Sequence, residues 1–280
     1  MKPVCAILLM FLSLVLFNTP ASAQTFKDFE EEVESSSSSS KGSCDENTNG
    51  FWHALFEFLY TIDAMDGEGI NHLGPAFKGF LTGAWPTQWN NHNSYFWSAS
   101  YSPYPYHTPR SGLFHNKNGR RHAIGVSGHY LHSSRALRSY SVRSRFSPSP
   151  FYDIETHVSG FTETGQDKDD HLAFYDVYIN YHRVRSESVM FWYGAGIKGM
   201  QRENEYYGPA INMGLEVYPG RPISFTGMIN IGRLNTRSVW ESMIRMNLHL
   251  NRSMVYIGYE QFAAGQLSIG GGIAGLGFYF

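Results

Sequence analysis

The strongest constraint in this sequence is a period of two. In the second half of the chain one row reads Ala173, Tyr175, Val177, Ile179, Tyr181 and the next Val189, Phe191, Tyr193, Ala195, Ile197. Alternate residues continue the pattern from Ile211 to Val217, Ile223 to Ile231, Trp240 to Leu250, Val255 to Tyr259 and Gly272 to Phe280. None of these positions is charged, although 16% of the chain is. The intervening positions hold Asp176, Asn180, His182, Lys198, Asn212, Glu216, Thr226, Asn230, Glu241, Arg245, Asn247, His249 and Glu260. A side-chain period of two is the signature of β-strands with one apolar face. Short polar turns join them, at Tyr218-Pro219-Gly220, Arg233-Leu234-Asn235-Thr236, Asn251-Arg252 and Ala263-Ala264-Gly265-Gln266, so neighbours run antiparallel.

Which face meets solvent decides the architecture. If the apolar rows pointed inward, the other face would meet bulk water and be crowded with Lys and Glu. Instead it mixes a few charges with Gly194, Gly196, Gly214, Gly232, Gly258, Gly275 and Gly277 and with Tyr178, Trp192 and Tyr256, the composition of a narrow lumen where small residues make room for large ones. The apolar rows then face hydrocarbon, where a midplane Arg or Lys costs ~2–4 kcal/mol. The predicted fold is all-β: a closed antiparallel transmembrane β-barrel over residues 94–280, preceded by a short N-terminal helix.

Extended segments begin near Ser94, Arg121, Ala136, Phe151, Asp170, Ser188, Tyr206, Arg221, Arg237, Ser253 and Ile269. A bacterial barrel needs an even number of strands, so about 10–12 are expected. Either Ala136 to Phe146 is mostly loop, or Gly112 to Asn116 or Ala76 to Trp85 adds a strand. A barrel of this size is largely filled by side chains, which disfavours a wide pore.

Aromatic residues gather near strand ends as Tyr206-Tyr207, Tyr218, Trp240, Phe262 and Phe278-Tyr279-Phe280. They resemble the aromatic girdle of bacterial outer-membrane barrels. The last strand, ending in Phe280 with Phe278 two residues before it, resembles the terminal signal by which such barrels are recognised for assembly. The resemblance covers about two-thirds of the chain and identifies an architecture rather than a narrow family. It implies outer-membrane lipid and the barrel-assembly machinery as partners, and leaves any periplasmic or surface partner unknown.

The N-terminal part fits export. Lys2, an apolar run from Val4 to Phe17 and Ala21-Ser22-Ala23 read as a signal peptide over residues 1–23. The run is shorter than the ~20 residues of a spanning helix, and no later stretch reaches that length. Residues 24–49, with Glu30-Glu31-Glu32-Val33-Glu34 and the serines Ser35 to Ser40, are expected to form a disordered periplasmic tether. Within residues 50–93, Phe51 to Ala64 is apolar around a stripe of His53, Glu57 and Thr61, spaced as in a helix that packs on the barrel, plugs it or lies in the membrane interface. Removal of the signal takes Cys5 and leaves Cys44, so no intramolecular disulfide or cysteine metal site is expected. Net charge is −2, and without a basic stripe nucleic acid is not an expected partner.

The candidate site is a cluster of lumen charges: Arg143, Arg145, Asp153, Glu155, His157, Asp176, Lys198, Glu216, Glu241, Arg245 and Glu260. Asp153, Glu155, His157 and Ser159 alternate along one strand, with Arg143 and Arg145 across the turn Ser147-Pro148-Ser149-Pro150. They are either an acid/base or cation site or a ladder of ion pairs that a confined interior requires, and the ladder is the stronger reading. No metal or other cofactor is expected. His129 and His132 fall on opposite faces of a strand, a poor metal pair, and are read as interface or loop histidines.

Asn91-His92-Asn93-Ser94 and His132-Ser133-Ser134 are loosely similar to the histidine and serine segments of lipid-cleaving barrels such as outer-membrane phospholipase and lipid A deacylase, in two or three common residues. The helix before the barrel is similar to that of the lipid A palmitoyltransferase barrel. The connections taken as external, Gln201 to Asn204 and Arg233 to Thr236, are short for adhesion or receptor work. The expected function is a structural, narrow-channel or docking barrel without enzymatic activity. The alternatives are a lipid-modifying barrel enzyme and a soluble periplasmic β-barrel that binds an apolar ligand.

Overall fold

The computed structural model describes residues 26–34, 100–108, 111–115, 119–133, 137–164, 170–235, 237–265 and 267–280. The expected signal peptide, the rest of the tether, the Phe51 to Ala64 helix, the Ala76 to Trp85 strand and the Asn91 to Ser94 segment lie outside them.

Ten antiparallel strands close into one barrel: β3 (Ala123–His132), β4 (Leu137–Ser149), β5 (Tyr152–Glu163), β6 (Asp170–Arg185), β7 (Val189–Gln201), β8 (Glu205–Gly220), β9 (Ile223–Leu234), β10 (Arg237–Leu250), β11 (Ser253–Ala264) and β12 (Leu267–Tyr279). Each pairs with its chain neighbours, and β12 pairs with β3 from Gly272↔His132 to Tyr279↔Gly125, which removes both sheet edges. Leu234 pairs with Arg237, Leu250 with Ser253 and Ala264 with Leu267, leaving two-residue connections. Asn235, Asn251 and Gly265 take the left-handed φ that such turns require. The Pro219-Gly220 turn falls elsewhere: β8 runs on through a bulge between Val217 and Gly220, and the reversal is at Arg221-Pro222.

Two strand assignments change. Ala136 to Phe146 is not a loop but most of β4, a weak signal because its inward row holds the small polar Ser139 and Ser141 while Tyr140 and Val142 point out. The segment expected to begin near Ser94 is described only from Ser100. That part, β1 (Ser100–Tyr101), pairs with β2 (Phe114–His115) in a separate two-stranded sheet, so neither it nor the described part of the Gly112 to Asn116 segment enters the wall.

The sidedness follows the period of two. Large apolar side chains on the outward rows are exposed, Ile179 at 64% and Ile257 at 57%, whereas Asp176, Lys198, Glu216, Asn230, Glu241 and Glu260 are buried. An apolar exterior around a polar core is the inverse of a water-soluble barrel, and it excludes the soluble reading. Inside, glycine faces bulk as expected: a Cβ on Gly214 would lie 2.2 Å from the Trp192 ring, one on Gly275 2.5 Å from Tyr256, and one on Gly232 2.8 Å from the Lys198 chain.

The terminal rim, where β3 begins and β12 ends, and the opposite far rim are both filled. At the terminal rim Tyr101 and Phe114 stack at 4.8 Å, Phe114 meets the His182 ring at 5.5 Å, and Tyr106 packs on Tyr218 and His249. The Tyr101 and Tyr106 hydroxyls donate to the carbonyls of Ser149 and Ile223. At the far rim sits helix α1 (Phe26–Glu34), within the region read as a disordered tether. Phe26, Phe29 and Val33 recur at i, i+3 and i+7, so the segment carries an apolar stripe, and the barrel mouth buries it. Its acidic run looks solvating only when that stripe is overlooked.

Tyr206, Tyr218, Phe262 and Tyr279 do not belong to an outer girdle: Tyr218 and Phe262 are buried in the bore, and Tyr206 and Tyr279 pack against its core. Parity shows why: Tyr218 is two residues from Glu216 and Phe262 two from Glu260, so each shares its neighbour's inward face.

Candidate functional site

The bore is layered. Beneath α1, Phe161, Phe174 and Phe262 form an aromatic floor, with Phe161–Phe262 ring centroids 5.0 Å apart and Phe174–Phe262 4.9 Å apart. Lys198 Nζ lies 5.7 Å and 5.6 Å from the Phe174 and Phe262 rings, at the top of the charge layer.

That layer is one connected network. Lys198 Nζ donates to both Asp176 oxygens at 3.0 Å and to Glu241 Oε2 at 2.8 Å. Arg143 bridges Glu241 Oε1 at 2.8 Å and Glu155 Oε1 at 2.6 Å. Arg145 donates to Glu155 Oε2 at 2.6 Å, lies 3.3 Å from Asp153 Oδ2 and stacks over Trp192 at 4.4 Å. Asp153 also accepts from Asn180 and contacts His182. His157 Nδ1 lies 3.4 Å from Asp176 and 3.3 Å from Glu241, and its Nε2 is 2.8 Å from Ser159 Oγ, which continues to Ser141 at 2.7 Å.

β5 supplies Asp153, Glu155 and His157 by alternation, β4 supplies both arginines, and Asp176, Lys198 and Glu241 come from β6, β7 and β10. Register places His157 opposite both Arg143 and Asp176, and Asp176 opposite Lys198. These interactions span the bore, so the network ties strands that share no backbone ladder.

Three of the candidate charges stand apart. Glu260 meets His129 at 2.8 Å, which makes His129 a lumen residue rather than an interface or loop one. Glu216 accepts from Ser224 at 2.7 Å, and Ser224 contacts His249. Arg245 stacks over Tyr256 at 4.6 Å. His132 is exposed beside Tyr130, on the face opposite His129.

The geometry bears on two chemistries. His157, Asp176 and Glu241 offer ligand atoms within 4.8 Å of one another, a spacing compatible with a metal ion. The Lys198 ammonium is bonded to both carboxylates and already supplies the cation there. Ser159, His157 and Asp176 are connected in the order of a nucleophile, base and orienting carboxylate. Yet Ser159, His157 and Glu155 are fully buried, and Ser159 also hydrogen-bonds Ser141. A nucleophile needs room for its substrate, and this one is enclosed by paired side chains.

The far-rim contacts carry no signal in the residue pattern. Arg202 Nη1 donates to Glu30 Oε2 at 2.7 Å, the Asn204 backbone N–H donates to Glu30 Oε1 at 3.0 Å, and Arg202 also holds Asp170 at 3.0 Å. Arg237 lies 3.4 Å from Glu32.

Fold and lumen together define a transmembrane β-barrel of the outer-membrane type, with its bore filled by paired charges. Among solved structures, the chain is similar to the N-terminal β-barrel domain of Pseudomonas aeruginosa OprF, at 10% identity over 56% of this chain and 97% of that one, with a TM-score of 0.24. It is also similar to Ail, the attachment invasion locus protein of Yersinia pestis, at 12% identity over 57% of this chain and 96% of that one, with a TM-score of 0.27. No family model and no curated protein matches the chain.

Proposed function

We propose that this chain is an exported outer-membrane protein whose barrel is a closed structural or docking component rather than a general pore or an enzyme. The observation that carries the reading is the buried charge network spanning the bore, from Lys198 and Asp176 through Glu241 and Arg143 to Glu155 and Arg145. Such a network excludes water when each charge is paired, because an unpaired one in a confined interior costs several kcal/mol. The terminal rim is closed by Tyr101, Tyr106 and Phe114, and the far rim by α1.

Reconstitution of the purified protein into planar bilayers tests this. The expected record shows no steady ionic conductance; stable steps of general-porin size would overturn the closed-barrel reading. Incubation with labelled phospholipid and lipopolysaccharide is expected to show no turnover, and hydrolysis lost on Ser159→Ala would establish the enzyme alternative instead.

A further inference from the structure

The contact between α1 and the far mouth has the form of a ligand in a receptor. Its apolar stripe, Phe26, Phe29 and Val33, spans about 10 Å along the helix at 1.5 Å per residue and is buried throughout. Phe26 meets Phe161 at 6.4 Å and Phe29 meets Phe174 at 5.9 Å, both edge-on. Beside this stripe, the Glu30 carboxylate is almost fully buried and takes one oxygen to Arg202 and the other to the Asn204 N–H. Arg202 is itself held in place by Asp170 and lies 3.4 Å from Glu203. The mouth therefore offers an aromatic floor and, at its edge, a guanidinium and an amide N–H converging on a carboxylate.

Two contacts belong to the helix itself, the Phe26 N–H donating to Glu163 Oε2 at 3.1 Å and Glu32 lying 3.4 Å from Arg237, but the apolar stripe and the Glu30 carboxylate do not require one. An apolar chain replaces the stripe by hydrophobic burial, which is non-directional. A free carboxylate replaces Glu30 because Arg202 and Asn204 read only its two oxygens. We propose that the far mouth is a binding site for a single-chain carboxylate amphiphile of the fatty-acid class, with α1 as its resident competitor. The site lies above the charge layer, so it is a receptor at the mouth and not a path through the bore. The inference rests on the closed barrel but not on its lack of conductance, which the bilayer recording tests separately.

The test uses the full chain in nanodiscs, with cis-parinaric acid as probe, its methyl ester as control and empty nanodiscs for the lipid background. Phe29→Asp combined with Val33→Asp empties the seat without touching a wall strand. This variant is expected to bind the acid saturably and at least tenfold more tightly than the wild type does, and to discriminate against the ester. Arg202→Gln in the same background is expected to abolish that discrimination. In the wild type, saturating acid is expected to speed amide exchange in α1 at least tenfold while the ester does not, a readout that needs no variant to fold. Indistinguishable partitioning of acid and ester in all proteins, equal affinity with and without the α1 substitutions, or unchanged α1 exchange would each overturn the proposal.

Discussion

Lys198→Met isolates what the lumen network contributes. The ammonium makes contacts of 3.0, 3.0 and 2.8 Å with Asp176 and Glu241, and its side chain is fully buried. Methionine keeps most of the volume and removes the cation from Asp176, which retains only His157 at 3.4 Å, whereas Glu241 retains Arg143 and His157. Removing one partner of a buried pair costs about 3–5 kcal/mol. With an m-value of about 3 kcal/mol per M in urea, the unfolding midpoint should fall by roughly 1–1.7 M at constant slope. The assay is urea unfolding in lipid vesicles, followed by tryptophan fluorescence and by the shift between unheated and boiled bands on a gel. Lys198→Met with Asp176→Asn should recover part of the loss, with a coupling of about 1–3 kcal/mol. A midpoint shift below about 0.3 M without coupling would refute the reasoning, because it would place the pair among solvated ones worth ~0–1 kcal/mol and imply a wet bore.

Three further outcomes follow. Ile257→Arg, on an outward position, should destabilise the membrane-inserted barrel by about 2–4 kcal/mol if it sits near the midplane, as measured by the same urea titration. Gly214→Val should cost about 1–3 kcal/mol because its Cβ meets the Trp192 ring at 2.2 Å, and Trp192→Leu should relieve most of that cost. Burial pushes the Tyr106 hydroxyl up from 10.0 to about 12. A raised acid is stabilising in its neutral form, so docking of the terminal-rim segment is complete below pH 10 and weakens as pH rises toward about 12, a loss that Tyr106→Phe should remove in hydrogen exchange.

How far the fold could be read ahead of the structure depended on parity. Within a strand, one assigned residue fixes the side of every other, so Asp176 carried Asn180 and Glu241 carried Arg245 and Asn247 into the lumen together. The same rule places Tyr218 and Phe262 inward beside Glu216 and Glu260. β4 was faint because Ser139 and Ser141 give an inward row little contrast with its neighbours. Cross-bore partners were not legible, since Arg143 and Glu241 lie on β4 and β10, which share no register, and only closure brings them together. The α1 seat is obscured for a different reason: the acidic composition of the segment hides an i, i+3, i+7 stripe that the phenylalanine-lined mouth buries.

Which way the rows point is measured directly by site-directed spin labelling. With Cys5 and Cys44 replaced by serine, nitroxides would be placed singly at Val142, Ile179 and Ile257 and at Thr226 and Asn230 in bilayer-inserted protein. Collision with oxygen should dominate at the first three, and both oxygen and a water-soluble nickel chelate should reach the last two poorly. Free access of the nickel chelate to Val142, Ile179 and Ile257 would contradict a lipid-facing exterior.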